Sequence, residues 1–85
     1  MERSLNLTEL KGRVEARVES VRELTPNDVI ARRLRELGFV AGERVEVVAT
    51  GPFGAEPLLV QIGYTRFALR RSEAARVILC ADAAS

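Results

Sequence analysis

Cys80 and Asp82, two positions apart, and Glu15 and Glu19, four apart, are the residues whose types could hold a transition metal. Thiolate and carboxylate both ligate such ions, yet each pair offers too few strong donors for tight binding by one chain. Two chains sharing an ion, as a metal-bridged dimer, would raise the number. The sequence contains no histidine, which removes the usual general base near neutral pH and the commonest transition-metal ligand. Cys80 is the sole cysteine, so it has no CxxC neighbour and no His partner. Neither a structural zinc site nor a thiol nucleophile can be assembled on that basis. There is no GxGxxG or Walker-type loop, and in Gly51-Pro52-Phe53-Gly54 the proline has no amide to offer a phosphate. Most carboxylates fall on outward strand positions, where they read as solvated charge. The chemistry available is binding without catalysis, with no cofactor required.

The residues that could bind a partner are arginines and one aromatic. Every basic residue except Lys11 is Arg, whose planar fork matches carboxylates and phosphates. Arg32, Arg33 and Arg35 gather near the end of a predicted helix, where they could meet an acidic partner, or simply suit the helix dipole. Arg66, Arg70 and Arg71 form a second cluster; Arg66 and Arg70, on the outward face of the hairpin strand, could pair with cross-strand Glu or with a ligand, and structural pairing is the reading favoured. Phe53, followed by Gly54, lies in a loop that cannot be regular structure. It either plugs an open end of the fold or stands out as a binding anchor. A nucleic-acid-binding module is the alternative reading. A net charge of +1 speaks against it, as do aromatics that are not interleaved with basic residues on one strand face.

The elements that must position these residues follow from periodicity and punctuation. Leu5 to Gly12 reads as one helical or 3₁₀ turn, released by Gly12. From Arg13 to Arg22, Val14, Ala16 and Val18 alternate with charged residues, and the alternation breaks at Ser20-Val21, as a bulge or bend would require. A helix follows, with Thr25 as cap, Pro26 at its first position and Asp28 completing a capping box. Ile30, Leu34 and Leu37 form its inner stripe. Gly38 is the left-handed stop, with Phe39 folding back as in a Schellman ending. Val40 to Glu43 is a tight turn around Gly42. Arg44 to Thr50 is a strand with Val45, Val47 and Ala49 on one side. Gly51 to Pro57 is a loop.

Leu58 to Ile62 and Thr65 to Leu69 then form a hairpin about Gly63-Tyr64, a pair that suits a type II′ turn. That register sets Ile62 against Thr65, Val60 against Phe67 and Leu58 against Leu69, and a one-residue slip would put Phe67 and Leu69 into water. A short helical turn capped by Ser72 precedes a last strand, Arg76 to Leu79.

The expected fold is mainly β: about five short antiparallel strands, one inserted helix of about three turns and two single turns. Bent strands in a chain of 85 residues bury their apolar faces by curling into a small, partly open barrel. One domain spanning 1–85 is expected, with its core in 5–79 and a frayed tail over 80–85. The lone thiol fits a reducing cytosol. Met1 to Asn6 has charges and no apolar run, so no secretory signal is expected, and no stretch approaches the roughly 20 apolar residues of a membrane span.

Arg33-Leu34-Arg35-Glu36-Leu37-Gly38-Phe39-Val40-Ala41-Gly42-Glu43 resembles the FeoA family, small accessory proteins of bacterial ferrous-iron uptake. Leu7-Thr8-Glu9-Leu10-Lys11-Gly12 resembles the family's start, and Phe67 to Val77 its late turn before the last strand. The resemblance implies an SH3-like barrel and a cytoplasmic accessory protein. It also implies a partner, the cytoplasmic part of the membrane ferrous-iron transporter FeoB, which would recruit the chain to the inner face of the membrane. Ala41 departs from the proline common at the turn. Leu34, Leu37, Gly38 and Gly42 map onto core and turn roles, so Phe53, Gly54, Arg32 and Arg33 are the expected partner-binding residues. A weak homodimer is the other association considered.

Overall fold

The computed structural model describes residues 5–10 and 14–80. Among these residues, six strands make one antiparallel sheet: β1 (Leu5–Asn6), β2 (Glu15–Val21), β3 (Arg44–Thr50), β4 (Leu58–Ile62), β5 (Thr65–Leu69) and β6 (Val77–Leu79). Their spatial order is β1-β6-β2-β3-β4-β5. A 3₁₀ turn (Leu7–Glu9), helix α1 (Val29–Leu37) and a single-turn helix α2 (Arg71–Ala74) complete the set.

β2 joins the two halves of the barrel. Its first half, Glu15–Arg17, pairs with β3, and its second, from Val18 onward, pairs with β6. Between them the register slips from Val18 opposite Leu79 to Ser20 opposite Ile78. This bulge is the predicted break in alternation, and it lets Val18 and Val21 both reach the interior. The predicted hairpin is present in its full register, Ile62↔Thr65 through Leu58↔Leu69. At its turn Gly63 has φ +57°, as a type II′ first position requires. The core gathers Leu7, Val18, Leu34, Phe39, Val45, Val60, Val77 and Leu79 from every layer.

Four expectations are corrected. The strands number six among the described residues, because Leu5–Asn6 pairs with Leu79 and Ile78 of β6. A pairing of two residues leaves no periodicity to detect. The 3₁₀ turn then begins at Leu7, with Asn6 as its cap. The predicted release at Gly12 lies outside the described residues.

Helix α1 starts later than Thr25 and Pro26 suggest. Asn27 adopts φ +53°, which a right-handed helix cannot pass through. Asp28 is the cap, accepting from the Ile30 and Ala31 amides at 3.1 and 3.2 Å. The helix therefore has nine residues, about two and a half turns.

Ser72 is not a cap either. It lies inside α2, and the Glu73 carboxylate accepts from the Arg70 amide at 2.8 Å instead. Ala49 leaves the apolar side of β3 because a bulge at Val48 shifts the register from Val47↔Val60 to Ala49↔Leu59. The extra residue turns Ala49 out to solvent.

The other end of α1 follows the predicted Schellman pattern. Gly38 has φ +116°, its amide bonds to the Arg35 carbonyl at 3.1 Å, and the Phe39 amide bonds to the Leu34 carbonyl at 3.1 Å. Gly42, at φ +90°, completes a turn closed by Glu43 N–H to the Val40 carbonyl at 3.1 Å, and Ala41 serves there in the proline position. The turn docks on β2 through Gly42 N–H to the Val18 carbonyl, 2.8 Å.

Candidate partner-binding site

A groove of about 410 Å³ opens between α1 and β5. Helix α1 contributes Val29, Ile30, Arg33, Leu34 and Leu37, β5 contributes Phe67, Ala68 and Leu69, and Glu73 of α2 closes one end. The helix wall is apolar because Val29 and Leu37 flank the stripe that Ile30 and Leu34 turn inward, so the apolar arc is wider than core packing needs. Val29 remains largely exposed as a result.

A buried ion pair holds this wall in place. Arg76 Nε donates to Asp28 Oδ2 at 2.8 Å, and Arg76 Nη1 donates to the Ser72 carbonyl at 2.7 Å. Asp28 Oδ2 also accepts from the Leu24 amide at 2.9 Å. The Arg76 guanidinium, backed by the Leu24 and Ala31 amides, holds the Asp28 carboxyl well below the usual carboxylate range. One pair thus joins the start of α1, the segment before it, α2 and the start of β6.

Of the expected partner-binding residues, Arg33 lies in the groove wall. Among the described residues its side chain has no hydrogen bond or ion pair. Arg32 is exposed on the same helix but does not line the groove. Arg35, by contrast, is structural: Nη2 donates to the Val21 carbonyl at 2.9 Å and Nη1 lies 3.5 Å from Glu23.

Phe53 is 82% exposed, so it does not plug the barrel. Its loop is nevertheless built. Gly51 N–H donates to the Pro57 carbonyl at 2.8 Å, Glu56 N–H to the Phe53 carbonyl at 3.2 Å, and Gly54 takes φ +65°. Glu56 also accepts from the Arg71 amide at 2.8 Å, which fastens the loop to α2, the element that closes the groove. Leu34, Leu37, Gly38 and Gly42 keep the core and turn roles described above. In the second arginine cluster Arg66 pairs across the hairpin with Gln61, at 3.0 Å, rather than with a Glu.

The candidate metal ligands are not brought together. Glu15 lies 4.0 Å from Arg44, Glu19 is exposed at the β2 bulge, and the Cys80 thiol donates to the Val18 carbonyl at 3.8 Å. Asp82 lies outside the described residues. Among the described residues no group of three or more Cys, Asp or Glu could hold an ion, and no helix is long and apolar enough to cross a membrane.

Sequence reasoning missed the β5 side of the groove, because Phe67 and Leu69 look like ordinary core positions of a hairpin. The available signal was Val29: an apolar residue beside the predicted inner stripe, widening it by one position.

The family model described as FeoA domain matches residues 5–79. Among solved structures, the chain is similar to Stenotrophomonas maltophilia FeoA complexed with zinc, at 62% identity, TM-score 0.86 and 93% coverage of both chains. That protein is described as an SH3 domain protein and a candidate ferrous iron transport activating factor. FeoA from Chlorobium tepidum matches at 32% identity and TM-score 0.74, covering 88% of this chain and 68% of that one. A FeoA-like protein from Clostridium acetobutylicum shares the fold at 21% identity and TM-score 0.77, covering 95% and 90%. No curated protein matches the chain. With nearly all its length matched by the family model and a relative this similar, the chain belongs to the FeoA family.

Proposed function

We propose that this protein is a non-catalytic accessory module of ferrous-iron uptake that binds the cytoplasmic part of the membrane transporter FeoB. Family membership supplies the pathway. The observation that carries the binding role is Phe53, a large aromatic held 82% exposed by an ordered, hydrogen-bonded loop rather than a slack one. A side chain of this kind, fixed at low entropy cost and unsatisfied by its own core, is what an interface anchor requires. The surface is small, so the association is weak, in the micromolar range.

Titration of the transporter's purified cytoplasmic domain against the wild-type chain, with and without guanine nucleotide, tests this. Saturable binding that weakens in Phe53→Ala is expected. Absence of binding in both nucleotide states overturns the reading.

A second reading, pairing of two chains through a shared metal, is favoured by the zinc complex of the S. maltophilia relative. The described residues do not by themselves supply a ligand set. Sedimentation with Zn²⁺ or Fe²⁺, before and after chelator, decides it: a reversible metal-dependent dimer supports this reading and an unchanged monomer removes it.

A further inference from the structure

We propose that the groove between α1 and β5 receives an extended, acidic segment of another protein, which adds to the sheet as a further strand along the outer edge of β5. This rests on the binding-module reading above. β5 is the last strand in the sheet order, so among the described residues one of its edges has no strand beside it. The two-residue turn makes Ile62 and Thr65 a hydrogen-bonded pair, and the alternation of an antiparallel ladder then assigns Phe67 and Leu69 to β4 as well. The backbone N–H and C=O groups of Arg66 and Ala68 therefore point away from β4, along the free edge. Ala68, exposed and small, leaves room for another backbone to approach. An edge strand flanked by a helix, with an apolar cleft between them, is an arrangement that strand addition uses: main-chain bonds give affinity and the cleft reads alternate side chains.

The dimensions set the length of the segment. Helix α1 has nine residues, or about 13 Å, which accommodates about four residues of an added strand. About two of those side chains face the cleft, over Phe67 and Leu69, and they are apolar. Charge sets the rest of the occupant. Among the described residues Arg33 has no hydrogen-bond or ion-pair partner in the helix wall, and exposed Arg66 and Arg70 lie on or beside β5. The carboxylate that lines the groove, Glu73, already accepts from the Arg70 amide, and Glu56, beside α2, from the Arg71 amide. An acidic strand is complementary to this surface. A second copy of this chain is not, because pairing β5 with its own two-fold mate would bring two arginine-bearing edges together.

The test uses the whole chain and a fluorescent peptide with acetylated and amidated ends, Glu-Val-Glu-Val-Glu, its Lys-for-Glu counterpart, and versions N-methylated at alternate amides in each of the two phases. Saturable binding of the acidic peptide is expected, with slowed amide exchange at Arg66 and Ala68. One N-methyl phase should bind at least about tenfold more weakly than the other, since only one presents its amides to β5. Arg33→Glu, on the exposed helix face, should weaken the acidic peptide at least about fivefold and favour the Lys peptide. Ala68→Pro removes the outward N–H and should abolish binding while thermal unfolding stays near wild type.

Equal binding of both N-methyl phases, perturbed amides confined to the Phe53 loop, or no saturation overturns the proposal. So does concentration-dependent dimerisation that Ala68→Pro abolishes, which would make a second copy the occupant. If the transporter domain binds wild type and Ala68→Pro equally, the edge is not the site but the accessory role stands. If the peptide binds and the transporter domain does not, only the accessory role falls.

Discussion

Asp28 and Arg76, 48 residues apart in sequence, meet in a buried ion pair with Nε to Oδ2 at 2.8 Å and side chains only 2% and 9% exposed. The same carboxylate caps α1, so one side chain both starts the helix and fixes where the helix lies. Its remaining acceptor capacity meets the Leu24, Ile30 and Ala31 amides, which leaves no desolvated lone pair to offset the attraction.

The first prediction concerns pH. The Asp28 carboxyl titrates lower in the folded chain than in the unfolded one, where an ordinary value of about 3.9 applies. Folding therefore favours the ionised form, and that stabilisation is present in full above about pH 5 and drains away as pH falls below the unfolded value. Asp28→Asn keeps a capping oxygen and loses the charge. Urea midpoints of wild type and Asp28→Asn should differ most at neutral pH and draw together progressively as pH falls below about 4 toward the much lower folded value. A gap independent of pH would show that the charge is not the source.

Two phenylalanines should behave oppositely. Phe39 is 0% exposed and its ring lies 6.0 Å from Phe67, tilted by 52°. Phe39→Ala should cost about 3–5 kcal/mol through lost transfer energy and a cavity, a large share of the stability of so small a domain. Phe53→Ala should change stability by no more than about 0.5 kcal/mol, since Phe53 is already in water. Denaturant unfolding of both variants checks this.

Gly38→Ala tests backbone strain separately from space. An added Cβ at Gly38 would meet nothing closer than Ile62 Cγ2 at 3.9 Å, so there is room for it. The cost comes from φ +116°, and about 1–2 kcal/mol of destabilisation is expected. Unchanged stability would mean that the end of α1 had rebuilt without the left-handed residue, which loss of the Phe39 amide's slow exchange would reveal.

Gly51→Ala tests the reverse case. Here the added Cβ would overlap the Glu56 carbonyl and the Pro57 ring, so the loop itself must move. Amide shifts should change at Gly51, at Phe53 to Glu56 and at Arg71, whose amide Glu56 holds, while the β2–β6 amides stay in place. If the module binds through Phe53, partner affinity should fall with them.

Much of this protein was determined by local chemistry and is legible in the chain. The Gly63-Tyr64 turn and the alternation on either side of it admit one hairpin register. Gly38 and Gly42 mark a helix stop and a turn because left-handed backbone is costly for other residues. The break in alternation near Ser20 announces the β2 bulge. Other features depend on residues far apart in sequence. Asp28 reads as the third residue of a capping box begun by Thr25, and becomes the cap only because Asn27 turns left-handed and Arg76 waits on the other side of the core. The two residues of β1 form a strand only because β6 offers them an edge. Ala68 is unremarkable in sequence, and the fold sets it with Val29 and Arg33 in the walls of one groove, beside a strand edge that no described strand covers. Turns, caps and alternation are satisfied within a few residues and so are written in their order. Ion pairs, sheet edges and grooves are satisfied across the fold, and only the folded chain decides which residues meet.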